Sequence, residues 1–159
     1  MEEKMVLEEE VGALLSARGL RLAVAESATG GLLGHYITGV SGSSRYFWGG
    51  VIAYANDVKH HVLSVREETL TRWGAVSPQV AREMALGVCA AIGVEVGLSI
   101  TGIAGPTGAT PTKPVGLYYI GMAFLGECWV WRHLMTGERA WNNEMIARGA
   151  LEHLRLRLQ

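Results

Sequence analysis

Ser27, Lys59, Tyr54 and a glycine-rich run opening at Thr101 are the residues whose types could cooperate in acyl transfer. Ser27 lies in Ala25-Glu26-Ser27-Ala28-Thr29-Gly30-Gly31, where the apolar run Leu22-Ala23-Val24-Ala25 stops and a helical pattern begins. A serine at such a junction is either an N-cap or a nucleophile, and the segment alone leaves both readings open. Gly30-Gly31 lets backbone approach a ligand closely, so the amides at the following helix start are expected to be free for an anion or a developing oxyanion. A serine hydroxyl is too weak an acid to attack an amide unaided and needs a neighbouring base. Lys59 can be that base if burial disfavours its ammonium form, because a solvated lysine, with a pKa of about 10.4, stays protonated. Tyr54, five residues earlier in the sequence, could orient the lysine or relay the proton. The plainer alternative is a snorkelling Lys59 and a packing Tyr54. The turn Thr101-Gly102-Ile103-Ala104-Gly105-Pro106 exposes backbone amides, or is simply a tight connection.

These residues need a frame that brings them together. Apolar residues at helical spacing predict a helix over 5–18 with Gly19 as its stop, followed by a buried strand at 22–25. A helix is expected from Gly30 to about Thr38, a loop over 40–44, and a strand from Phe47 to Tyr54 with Gly49-Gly50 as a bulge. Asn56 is read as the cap of a short helix, Ser64-Val65-Arg66-Glu67 as a capping box opening a helix over 65–73, and Ser77-Pro78 as the start of one over 78–91. Glu95–Thr101 reads as a strand, 102–114 as a loop, and Val115–Leu125 with Cys128–Leu134 as an antiparallel pair turning at Gly126-Glu127. A last helix runs from Thr136-Gly137 nearly to Gln159. Alternation of strands and helices followed by a late hairpin predicts one domain over 1–159, an α/β fold built as a three-layer α/β/α sandwich around a mixed sheet. The three loops carrying Ser27, Tyr54 to Lys59, and Thr101 then all follow the carboxyl ends of strands, where open α/β sheets bind ligands.

Composition narrows the function. With 49% hydrophobic and 18% charged residues, the chain suits a sheet covered on both faces. A formal net charge of −1 without a Lys/Arg stripe argues against a nucleic-acid partner. No uncharged run is long enough to span a membrane and the acidic opening Met1-Glu2-Glu3-Lys4 lacks a basic leader, so a cytoplasmic protein is expected. Cys89 and Cys128 are read as reduced packing residues, and the five histidines show no metal-ligand spacing, so no metal is expected. Trp129 and Trp131, on one side of a strand, suit either the core or an apolar face pairing two subunits into a homodimer.

Ala25-Glu26-Ser27-x-Thr29-Gly30-Gly31, Ser41-Gly42-Ser43-Ser44, Tyr54-x-Asn56-x-x-Lys59, Gly74-Ala75-Val76-Ser77, Gly102-Ile103-Ala104-Gly105-Pro106 and Lys113-Pro114-Val115-Gly116 occur here in the order seen in the CinA C-terminal domain family. The chain resembles that family over nearly its whole length. The resemblance implies hydrolysis of the carboxamide of nicotinamide mononucleotide to nicotinate mononucleotide and ammonia, in pyridine nucleotide recycling, with no cofactor. It places Ser27 as nucleophile, Lys59 as general base and Tyr54 as their assistant. Contacts to the small-molecule nucleotide substrate fall to Thr29, Gly30, Gly31, Gly42, Asn56, Thr101, Gly102, Gly105 and Arg139. Ala28 stands where cysteine is common, Ala109 where a second glycine is usual, and Asn143 where a second arginine often follows Arg139. Losing that guanidinium removes a phosphate ligand. The alternatives are a non-catalytic nucleotide- or partner-binding module of the same fold and an amidase acting on another substrate.

Overall fold

The computed structural model describes residues 5–159; the acidic opening Met1–Lys4 lies outside the described residues. Helix α1 (Leu7–Arg18) ends on Gly19 in the left-handed conformation and leads into β1 (Leu22–Glu26), all five residues of which are buried. Helix α2 (Leu32–Thr38), a 3-10 turn at Ser43–Arg45 and β2 (Phe47–Ile52) follow, then three helices, α3 (Asn56–Leu63), α4 (Glu67–Trp73) and α5 (Pro78–Ile92). Strand β3 (Val96–Gly102), the hairpin of β4 (Leu117–Phe124) and β5 (Glu127–Leu134), and α6 (Arg139–Leu158) complete the chain.

The strands form one sheet in the order β2-β1-β3-β4-β5, with β1 parallel to β2 and β3 and the last two strands antiparallel. Alternation along β1 sorts its side chains between two cores: Leu22 and Val24 join α1, α2 and α6 on one face, Ala23 and Ala25 join α3 and α5 on the other. The three layers follow from a chain apolar enough to cover both faces, each fully buried Leu or Ile contributing about 1.5–3 kcal/mol. Because β1, β2 and β3 run the same way, their carboxyl ends meet at one edge of the sheet.

Two glycines let the elements approach. Gly49, at φ 141°, carries the bulge that skips Trp48 between Leu22 and Ala23 of β1. A Cβ on Gly87 would lie 1.9 Å from the Leu63 carbonyl oxygen, so only glycine lets α5 lie against the end of α3, the helix that bears Lys59.

Three local expectations are corrected. Ser64 does not open α4; it ends α3 at φ 59°, and the N-cap of α4 is Arg66, with no side-chain bond to the helix. Asn56 is the first residue of α3, and Ala55 is its N-cap. Helix α2 begins at Leu32, two residues beyond Gly30. Ser77 caps α5 as read, accepting from the Val80 amide.

Candidate active site

At the shared edge of β1, β2 and β3 a cleft of about 300 Å³ is lined by Ser27, Ala28, Tyr54, Asn56, Lys59, Ala75, Val76, Thr101, Gly102, Ile103, Ala104, Thr107, Gly108 and Arg139. Two of these are cations and none is a carboxylate. The cleft therefore favours an anionic ligand.

Ser27 leaves the end of β1 with its amide donating to the Ile100 carbonyl of β3. It caps nothing. The N-cap of α2 is Gly31, and the amides of Leu33 and Gly34 donate instead to the Glu26 carboxylate at 2.9 and 3.0 Å. Glu26 is 1% exposed and also accepts the Thr29 hydroxyl at 2.7 Å. The expectation that the helix-start amides are free for an anion is thus overturned at Leu33 and Gly34, because a carboxylate of the chain already occupies them. The amides of Ala28 and Thr29 have no acceptor among the described residues.

Lys59 is 1% exposed, on the first turn of α3 facing the sheet edge. Its Nζ lies 3.1 Å from Ser27 Oγ, 2.8 Å from the Ala53 carbonyl oxygen and 3.1 Å from that of Tyr54. Burial brings its pKa down from the usual lysine range to about 8. Three partners match either protonation state: an ammonium donates three hydrogens, while a neutral amine donates two to the carbonyls and offers its lone pair to the serine O–H. A proton can pass between Ser27 and Lys59 without either side chain moving.

Tyr54 meets the lysine through its main-chain carbonyl. Its side chain is 63% exposed, and its hydroxyl accepts from Arg139 Nη2 at 3.3 Å. Arg139, the first residue of α6, also donates from Nη1 to the Gly105 carbonyl at 3.0 Å. Arg139 and Ala104 line both the cleft and a neighbouring groove that includes Gly105, Pro106, Val115 and Asn143. Thr101 is buried in the cleft wall, donating to the Ala75 carbonyl at 2.8 Å.

Ser27, Tyr54, Lys59, Asn56, Thr101, Gly102 and Arg139 therefore converge on one cleft, with Gly105 bordering it through Arg139. Thr29, Gly30, Gly31 and Gly42 do not line it. Thr29 holds Glu26, Gly31 borders a groove behind α2, and Gly42 starts the 3-10 turn beside Arg45 and Tyr46. Asn143, read as a lost cation, instead donates to the Ala28 carbonyl at 3.1 Å and accepts the buried Tyr118 hydroxyl at 2.6 Å, tying α6 to the turn that presents Ser27.

The profile of the CinA C-terminal domain matches residues 4–158. The chain belongs to the CinA C-terminal domain family. A CinA-like protein of Salinibacter ruber is 52% identical over 151 residues, and a putative competence-damage inducible protein of Halothermothrix orenii 48% identical over 154. These alignments cover 95% and 96% of this chain but 37% of each relative. The chain thus spans little more than a third of the length of these relatives. Among solved structures, a CinA superfamily protein of Klebsiella pneumoniae superposes with a TM-score of 0.93 at 32% identity, covering 96% of this chain and 95% of that one. A competence/damage-inducible protein of Agrobacterium tumefaciens does so with 0.88 at 35% identity, covering 99% of each.

Proposed function

We propose that the Ser27–Lys59 pair hydrolyses the carboxamide of nicotinamide mononucleotide, giving nicotinate mononucleotide and ammonia. The observation that carries this reading is the buried Lys59 amine, 3.1 Å from Ser27 Oγ and with its pKa lowered toward neutrality. A solvated lysine would have neither the position nor the protonation state of a base. The substrate is argued from the motif set of the family and from the Arg139 guanidinium in a cleft lined by no carboxylate.

In this account Ser27 Oγ attacks the carboxamide carbon and its proton passes to Lys59 Nζ. The developing oxyanion takes the Ala28 amide, the donor adjoining Ser27 that has no acceptor among the described residues. Collapse of the tetrahedral adduct breaks the C–N bond, and Lys59 returns its proton to the departing nitrogen, which leaves as ammonia. Water then attacks the Ser27 ester, giving its proton to Lys59, and the carboxylate departs as Ser27 regains its hydrogen. Arg139 binds the phosphate, exchanging its neutral acceptors, Tyr54 Oη and the Gly105 carbonyl, for a dianion.

Ammonia release from nicotinamide mononucleotide, nicotinamide riboside and nicotinamide tests the reading. Turnover of the mononucleotide far above the other two is expected. Release from none of them overturns it in favour of a binding module, and equal release from all three points to a different amide substrate.

A further inference from the structure

Away from the cleft, β5 and α6 bring two histidines face to face. His133 of β5 and His153 of α6 place their Nε2 atoms 3.0 Å apart, a proximity that their separation of twenty residues in sequence does not announce. We propose that this pair is a binding site for a late first-row divalent transition ion, Cu2+ or Ni2+, held by the two Nε2 atoms with water completing its coordination.

Geometry favours this class of ion. Two nitrogens about 2.0 Å from one metal stand about 2.8 Å apart at a right angle and about 3.3 Å apart at the tetrahedral angle, so the present spacing lies nearer that of a tetragonal ion than that of zinc. Trp131 stacks on His153 with ring centroids 4.0 Å apart and planes within 14°, holding that imidazole in orientation. The His133 ring meets the His153 ring at a steep tilt, with centroids 5.2 Å apart and planes at 62°, so the two Nε2 atoms face each other across the gap that an ion would bridge. Both rings are half-buried, so solvent can supply further ligands. Glu152, the adjacent carboxylate on α6, is held by Arg155 and does not join the pair. An ion here would clamp the edge strand β5 to the C-terminal helix.

The test is calorimetric titration of the untagged, chelator-stripped protein with Cu2+ and with Ni2+, on wild type, His133→Ala, His153→Ala and His60→Ala. The last variant controls for the other histidine cluster, His60-His61. One ion per chain is expected, with affinity falling at least about tenfold in either pair variant and unchanged in His60→Ala. The Cu2+ electron paramagnetic resonance spectrum of wild type, which needs no variant to fold, is expected to show two nitrogen ligands. Wild-type affinity retained in the His133→Ala/His153→Ala double variant overturns the proposal. So does a wild-type spectrum without nitrogen coupling, which would mean that the two rings only share a proton.

Discussion

Lys59 sets the pH at which Ser27 becomes reactive, and the dependence can be worked from its burial. With the lysine pKa at about 8, roughly a tenth of the chains hold the neutral base at pH 7 and roughly nine-tenths at pH 9. The rate of Ser27 modification should therefore rise about tenfold between those pH values and level off above. An unshifted lysine would instead give about a hundredfold rise with no plateau below pH 10. The assay is the second-order inactivation rate by an uncharged fluorophosphonate from pH 6 to 10, a reagent whose own ionisation does not intrude. Lys59→Arg should abolish the pH-dependent rise, because arginine keeps the charge but does not deprotonate in this range. A profile that is flat, or one that climbs unbroken through pH 10, refutes the assignment of Lys59 as base. The same shift has a signature in stability. Between about pH 8 and the ordinary lysine value the unfolded chain binds more protons than the folded one, so stability should rise with pH across that window.

Three further outcomes follow from the contacts. Ser27→Ala should eliminate turnover yet change stability by no more than about 1 kcal/mol in thermal unfolding, since Ser27 caps no helix; retained turnover would remove it as nucleophile. Arg139→Ala should cut kcat/KM for the mononucleotide by about 10- to 150-fold, from a charge-assisted contact of about 1.5–3 kcal/mol, while leaving the riboside little changed; equal losses would make Arg139 a scaffold residue. Glu26→Gln should set an amide N–H against the N–H of Leu33 or Gly34 and cost about 1–3 kcal/mol, read as a lower Tm with the folded fraction still labelled at Ser27.

Much of the frame was legible because it rests on local rules. Val24 and its neighbours form an unbroken apolar run, and Ser77-Pro78 is a cap whose chemistry needs no tertiary partner. The bulge at Gly49 announced itself in the same way. What sequence obscured was competition between local and distant partners. Ser64 has capping-box spacing to Glu67, but it serves as the left-handed end of α3. Glu26 caps α2 from seven and eight residues upstream, outside any capping pattern, so the helix-start amides looked free when two of them were not. The convergence of Ser27, Lys59 and Arg139 was visible through strand-end placement and family resemblance. The hydrogen bonds of Asn143 to Ala28 and Tyr118 were not, because they join α6 to a loop 115 residues away and to β4.

Quenched-flow mass spectrometry during turnover of nicotinamide mononucleotide tests whether Ser27 is the nucleophile of an amide-cleaving Ser–Lys pair. A transient adduct is expected on the peptide containing Ser27, with the mass of the substrate less ammonia, absent from Ser27→Ala. Ammonia release that proceeds at the wild-type rate in Ser27→Ala, with no adduct at that peptide, would contradict it.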